Sequence, residues 1–364
     1  MLTGSEQNDY ITLLSKRGYE LLKDDKISEA IAFFEEILNQ DSSNNYALVG
    51  LGDTYRKKGN YRKAISYYNQ CLEADPENNF AYFGIADSYK SLNKLDKAIT
   101  FWEKYLAKDP DNINVLTRVA DSYRKLKKFE LSKKYYERAL EVDEDNDYAL
   151  IGMGHLHFDF NDFKTALSYW EQMYQKAPDN IDIRILTSIG NCHRKLLSFD
   201  KGLKYFEEAL EKEPNNFFAL FGMADCYRGI RDYPNSLIYW LKILHNDPDN
   251  KVILTRAGDA FRVLKQYEKA KDFYQRALSI DHDSFAVIGL ALIDREHKRY
   301  DEAIEKLEGL IKLNPQNHRV YIEIANCYLD QNKKQAALDT LLRYQNYGSK
   351  NTYVSSLIEK IKHD

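Results

Sequence analysis

The sequence predicts an all-α chain of stacked helical hairpins, and three observations carry that prediction. An outline of about 34 residues recurs from residue 11 to residue 351, each copy holds two apolar stripes of helical period, and small residues return at the same two places in every copy. The clearest copy is Phe80 to Asn112. Tyr82, Ile85, Ala86 and Tyr89 fall at i, i+3, i+4 and i+7, as do Ala98, Phe101, Trp102 and Tyr105, before Asp109-Pro110-Asp111-Asn112 stops the run. A helix pair this short cannot bury its stripe alone, so copies must stack to build a core.

In chain order the units are 11–44, 45–78, 79–112, 113–146, 147–180, 183–216, 217–250, 251–283, 284–317 and 318–351, with Ile181 and Asp182 extra between the fifth and sixth. The eighth place is small throughout: Gly18, Gly52, Ala86, Ala120, Gly154, Gly190, Ala224, Gly258, Ala291 and Ala325. Twelve residues on comes a second small residue, Ala30 and Ala64 in the first two units and Ala303 and Ala337 in the last two, so the helices of a pair approach closely. Phe34, Tyr68, Trp102, Tyr136, Trp170, Phe206, Trp240, Tyr274, Leu307 and Leu341 share one large place on the second helix. Pro76, Pro110, Pro178, Pro214, Pro248 and Pro315 end that helix, because proline cannot continue it. After the last unit, Tyr353, Val354, Leu357, Ile358 and Ile361 share a face of a helix over 352–364 that caps the stack, while residues 1–10 are too polar to assign.

These residues resemble the tetratricopeptide repeat, whose pattern is a 34-residue helix-turn-helix. The resemblance covers the ten units and implies an all-α, right-handed superhelical solenoid with a concave inner wall. It departs from the pattern at Arg17, where an apolar residue is usual, and at Asp294, where a tyrosine is expected.

Composition bounds the function. Charged residues make up 30% and the net charge is −4, with both signs interspersed, so no basic field marks a nucleic-acid partner. Apolar runs such as Phe217 to Phe221 fall far short of the roughly 18 residues of a membrane span. No signal segment opens the chain, and a cytoplasmic location is expected, or a periplasmic or envelope-associated one had a leader been removed. Cys71, Cys192, Cys226 and Cys327 have no ligand spacing and read as buried thiols of a reducing compartment.

The units alternate in type. Trp102, Trp170 and Trp240 are separated by 68 and 70 residues, each with Pro-Asp-Asn eight residues on, and the units between share Leu116-Thr117-Arg118, Leu186-Thr187-Ser188 and Leu254-Thr255-Arg256. On the first helix, the second, fifth, sixth, ninth and twelfth places lie away from the core stripe, on the side that the resemblance makes the inner wall. One unit type puts Tyr46 and Val49, Phe80 and Phe83, Tyr148 and Ile151, Phe218 and Phe221, or Phe285 and Ile288 there, beside Gly50, Gly84, Gly152, Gly222 and Gly289. Each mid-helix glycine costs about 1 kcal/mol relative to alanine. Two readings are open: room for neighbouring rings, or a row of slots for a ligand. The ninth place carries Asp53, Asp87, Asp121, Asn191, Asp225 and Asp259, and three residues on come Arg56, Lys90, Arg124, Arg194, Arg228 and Arg262, either a self-paired ladder or groups that bond an extended peptide. Arg118 and Arg256 stand where the other unit type has glycine, are assigned no matching acid of their own, since Asp121 and Asp259 belong to the ladder, and are the leading ligand contacts.

No catalytic set appears. His155 and His157 point to different helix faces, and Gly50-Leu51-Gly52 and Gly152-Met153-Gly154 lie inside helices rather than in a phosphate loop. Family members that capture a chaperone's carboxylate tail are similar to one another in a lysine at the fifth place and an asparagine at the ninth; no fifth place here is lysine. Long arrays that hold polypeptides with amide ladders are a nearer match, with Asp mostly replacing Asn.

The expectation is a non-enzymatic interaction scaffold without cofactor or metal, binding an extended segment of a protein or peptide partner; homo-oligomer formation is not implied. The other reading is a regulatory or substrate-recruiting region of a larger enzyme or of an envelope assembly machine. The array is expected over 1–351 and its cap over 352–364. Candidate ligand-binding residues are Phe83, Asp87, Thr117, Arg118, Asp121, Arg124 and Tyr148, then Thr187, Asn191, Arg194, Phe218, Phe221, Asp225, Arg228, Thr255, Arg256, Asp259 and Arg262.

Overall fold

The computed structural model describes residues 4–176, 181–346 and 351–363, which form helices and, among the described residues, no strand. The chain divides into two compact units, residues 1–177 and 178–364. In the first, the hairpins pair α1 (Gly4–Lys23) with α2 (Ile27–Gln40), α3 (Asn45–Lys57) with α4 (Tyr61–Ala74), α5 (Asn79–Ser91) with α6 (Leu95–Leu106), α7 (Ile113–Lys125) with α8 (Phe129–Val142), and α9 (Asp147–Asp159) with α10 (Phe163–Lys176). In the second they pair α11 (Ile183–Lys195) with α12 (Phe199–Lys212), α13 (Phe217–Gly229) with α14 (Tyr233–Asn246), α15 (Lys251–Val263) with α16 (Tyr267–Ile280), α17 (Ser284–Glu296) with α18 (Tyr300–Leu313), and α19 (His318–Asp330) with α20 (Lys334–Gln345), followed by α21 (Thr352–His363).

Local chemistry sets the helix ends. Asn44, Asn78, Asn112, Asn146, Asn216 and Asn250 each accept an N–H of the first turn that follows, a cap worth about 1 kcal/mol. The second helices stop at Ala74, Leu106, Lys212, Asn246 and Leu313, shortly before Pro76, Pro110, Pro214, Pro248 and Pro315; Pro178, Asp179 and Asn180 lie outside the described residues. At the fifteenth place of every hairpin the backbone turns left-handed, with φ from 57° to 65° at Asp25, Asn93, Lys127, Asn161, Leu197, Arg231, Lys265, Lys298 and Asn332, and 80° at Gly59. The next N–H then reaches back across the turn, as Lys94 N does to Tyr89 O at 2.9 Å, closing the first helix.

The core follows the large place on the second helices. Phe34, Tyr68, Trp102, Tyr136 and Trp170 are buried in the first compact unit, and Phe206, Trp240, Tyr274, Leu307 and Leu341 in the second. The mid-helix glycines are sockets for these rings. A Cβ on Gly84 would lie 2.2 Å from Tyr68 Cζ, and one on Gly222 would lie 2.2 Å from Phe206 Cζ; Gly50, Gly152 and Gly289 meet Phe34, Tyr136 and Tyr274 in the same way. The slot reading is thereby corrected: a ring of the preceding hairpin fills each slot. Burying such a ring contributes roughly 1.5–3 kcal/mol, more than the roughly 1 kcal/mol the glycine costs its helix.

The same contacts give the two-unit alternation a physical basis. Where the ring is tyrosine, its hydroxyl donates to the ninth-place aspartate: Tyr68 to Asp53 at 2.7 Å, Tyr136 to Asp121 at 2.6 Å and Tyr274 to Asp259 at 2.7 Å. Where it is Phe206, the ninth place is the neutral Asn191. After each tryptophan the next hairpin has Arg118, Ser188 or Arg256 in place of glycine. Val354 and Ile358 of α21 close one end of the second compact unit's core against Leu341 and Tyr344, whereas Tyr353 points outward.

Candidate functional site

The first helices of the hairpins carry the candidate site. Their second-place aromatics stand in solvent: Tyr46, Phe80 and Tyr148 in the first compact unit are 71%, 76% and 74% exposed, and Phe218 and Phe285 in the second are 65% and 61% exposed. The fifth-place aromatics behave differently. Phe83 is half-buried with its edge on Tyr105, and Phe221 lies edge-on to Trp240 with centroids 5.1 Å apart.

Most of the predicted charged residues pair with one another across hairpins. Asp87 receives Arg118 at 3.0 Å and Arg56 at 3.7 Å, and the Arg118 guanidinium also sits over the Phe83 ring. The expectation that Arg118 lacks an acid is therefore corrected: its partner stands 31 residues earlier, on the preceding hairpin. Asp121 accepts Tyr136 and Arg124, which also reaches Asp159 at 2.6 Å. Arg194 donates to Asn191 and, at 2.6 Å, to Asp225, which Arg228 holds from the other side at 2.7 Å. Arg262 bonds Glu296 at 2.7 Å. Thr117 and Thr187 turn their hydroxyls back onto the carbonyls of Ile113 and Arg184.

Two aspartates of this ladder differ electrostatically. Burial alone would raise the Asp225 carboxyl, but hydrogen bonds and charge from Arg228 and Arg194 outweigh it and hold the group below its ordinary range. At Asp259 burial prevails over the Tyr274 hydrogen bond and the positive charge of Arg262, Arg319 and Arg256, and the carboxyl is raised.

The structure brings Thr255, Arg256 and Asp259 to the wall of one small cavity, about 200 Å³, together with Val252, Asp283, Phe285 and Arg319. Asp283 is engaged there as the cap of α17 and by the Thr255 hydroxyl at 2.8 Å, and the Arg319 guanidinium lies over Phe285. A larger cavity, about 500 Å³, opens over the first three hairpins, with Tyr19, Tyr46, Val49 and Phe80 as its apolar wall and Asn45, Asp53, Asp75 and Asn78 as its polar one. Sequence reasoning placed Tyr46, Asp53 and Phe80 on this face but missed Tyr19, Asn45, Asp75 and Asn78. Asp75 and Asn78 end one unit and Asn45 starts one, so no first-helix pattern contains them.

Other side chains are structural. His157 is buried and bonds Asp162 at 3.0 Å, and Asp294, where a tyrosine was expected, binds Arg299 at 2.6 Å and Lys306 at 2.8 Å. The four cysteines are buried; burial pushes the thiols of Cys71 and Cys327 up to about 11 and that of Cys226 to about 12. Among the described residues no group of His, Cys, Asp or Glu is arranged to hold a metal ion, and no helix is long and apolar enough to cross a membrane.

Hairpins of nearly one length, stacked ring-into-glycine within each compact unit and carrying exposed aromatics on their first helices, define a helical-repeat scaffold. Tetratricopeptide repeat profiles match residues 46–78, 80–112, 113–146, 189–251, 253–284 and 295–361, and the chain belongs to the tetratricopeptide repeat family. This is a family of protein–protein interaction scaffolds. Among solved structures, the C-terminal part of a TPR repeat-containing protein from Cytophaga hutchinsonii is similar over 66% of this chain and 99% of its own, with 20% identity and a TM-score of 0.56. The type IV pilus biogenesis factor PilW matches 57% of this chain and 96% of its own at 16% identity and 0.52, and PilF of Pseudomonas aeruginosa matches 58% and 96% at 15% and 0.50. These likenesses concern the fold. No curated protein sequence matches significantly.

Proposed function

We propose that the chain is a non-catalytic scaffold that holds an extended segment of a protein partner against its first-helix face. The observation that carries this reading is the row of second-place aromatics. Rings that serve packing, such as Tyr68 and Phe206, are fully buried, whereas Tyr46, Phe80, Tyr148, Phe218 and Phe285 recur at one place with most of their surface in water. Exposed rings repeated at hairpin spacing offer apolar and stacking contacts to a chain laid across the hairpins, and such anchors dominate interface energies. Arg256, which has no acid within ion-pair distance among the described residues, adds a donor for a carbonyl or acidic group. The other candidate contacts on the first helices are the paired residues Asp87, Arg118, Asp121, Arg124, Asn191, Arg194, Asp225, Arg228 and Arg262, with Phe83, Phe221, Thr117, Thr187, Thr255 and Asp259.

The test is binding of the full chain to an array of random dodecapeptides, compared with Tyr46→Ala/Phe80→Ala/Tyr148→Ala and Phe218→Ala/Phe285→Ala variants. Each truncated anchor should cost about 1–2 kcal/mol of binding. Variants that fold and retain the same peptides as the parent would remove the face from the account.

A further inference from the structure

The cavity over the first three hairpins is lined by two carboxylates and no cation of its own. Asp53 is engaged: Tyr68 donates to it at 2.7 Å and Arg56 at 3.1 Å. Asp75 is not neutralised. Among the described residues its carboxylate receives only neutral donors, Asn78 Nδ2 at 3.1 Å, Asn45 Nδ2 at 3.3 Å and the Glu77 N–H at 3.1 Å. Of the cations on the second and third hairpins, Arg56 is committed to Asp53 and Asp87, and Lys108 to Glu77. The exposed rings of Tyr46 and Phe80 line the same cavity as Asp75, together with Tyr19.

The chain itself shows what such a site accepts. In the eighth unit, residues 251–283, the first and thirty-first places are Lys251 and Asp281, and the Lys251 ammonium sits 2.9 Å from the Asp281 carboxylate. The same places in the second unit are Asn45 and Asp75. One unit supplies its own ammonium; the other puts a neutral amide there and leaves the carboxylate, beside a cavity walled by aromatic rings.

We propose that this cavity takes a lysine or arginine side chain of the docked partner, its charge on Asp75 and its alkyl stem against Tyr46 and Phe80. Carboxylate and ring faces attract a cation in the same direction, and the stem covers apolar wall that is otherwise wet. A volume of about 500 Å³ holds one long side chain with room for the backbone to pass over the rim. The inference rests on the reading of the first-helix face as a docking surface and gives that surface a specificity.

The experiment uses the full chain and positional-scanning dodecapeptide mixtures whose one fixed central residue is Lys, Arg, Gln, norleucine or Glu. At low salt the Lys and Arg mixtures should be retained roughly 3- to 30-fold better than the Gln and norleucine mixtures, with the preference shrinking toward parity at high salt. Asn45→Lys, which places the chain's own ammonium on Asp75, and Asp75→Asn should each abolish the preference while the thermal melt by circular dichroism stays near that of the parent. Retention without a basic preference, or a preference untouched in folded Asn45→Lys and Asp75→Asn proteins, overturns this inference and leaves the docking reading standing. Retention of no mixture at all overturns both.

Discussion

Replacing Gly84 with alanine should destabilise the protein, although helix propensity alone predicts the reverse. Removing a mid-helix glycine gains about 1 kcal/mol. The new methyl, however, would stand 2.2 Å from Tyr68 Cζ, closer than any real contact, and the Tyr68 ring is fully buried with its hydroxyl fixed on Asp53 at 2.7 Å. Overpacking costs about 1–3 kcal/mol, and displacing the ring also weakens a hydrogen bond to a charged group worth about 1.5–3 kcal/mol. The net expectation is a loss of about 2–4 kcal/mol, read as a lower urea midpoint in circular dichroism. Gly309, in α18, is the internal control: a Cβ there meets nothing within 4 Å, so Gly309→Ala should stabilise by about 1 kcal/mol. The double-mutant cycle sharpens the test, because in a Tyr68→Ala background Gly84→Ala should change sign and become stabilising. A Gly84→Ala protein more stable than its parent would refute the socket.

Other consequences are equally direct. Leu197 holds φ 59° with its side chain 74% exposed, so Leu197→Gly should remove left-handed strain and raise the urea midpoint by the equivalent of about 0.5–1 kcal/mol. Asp225, held below its ordinary 3.8, stabilises the fold at neutral pH and loses that contribution as pH falls through its folded value; Asp225→Asn should therefore lower the midpoint at pH 7, with the difference closing in acid. Asp259, raised by burial, has the opposite sign: its ionised form is penalised at pH 7 and relieved as pH falls, so Asp259→Asn, which can still accept from Tyr274, should raise the neutral midpoint and lose that gain on acidification. Midpoints measured from pH 7 down to pH 3 check both. Arg194→Met, which strips one guanidinium from the buried Asp225, should cost about 1–3 kcal/mol in the same assay.

The hairpins themselves were legible because their signals are local. Tyr82, Ile85, Ala86 and Tyr89 mark a helix face whatever surrounds them, and Asn78 or Asn112 caps the next helix through atoms three residues away. The left-handed turn ending each first helix was not legible, because only Gly59 among the residues that adopt it is a glycine, and the six-residue loop of hydrogen bonds that fixes it involves backbone alone. The first-helix places away from the core stripe were legible, yet their roles divided: Tyr148 and Phe218 stand exposed, while Phe83 and Phe221 lean on Tyr105 and Trp240.

By itself the sequence determined the period, the unit boundaries, the small and large places and the family they belong to, since each follows from spacing within one hairpin or from its repetition. Tertiary structure decided which groups are left over. Whether Gly84 is a slot or a socket depends on where Tyr68 of the preceding hairpin arrives, and whether Arg118 is available depends on Asp87, 31 residues back. Asp75 keeps an open charge because Asn45, thirty residues earlier, meets it where another unit has Lys251 on Asp281. The first two depend on how one hairpin seats on the next and the third on how the two helices of one hairpin close on each other, packing angles that no local residue pattern encodes.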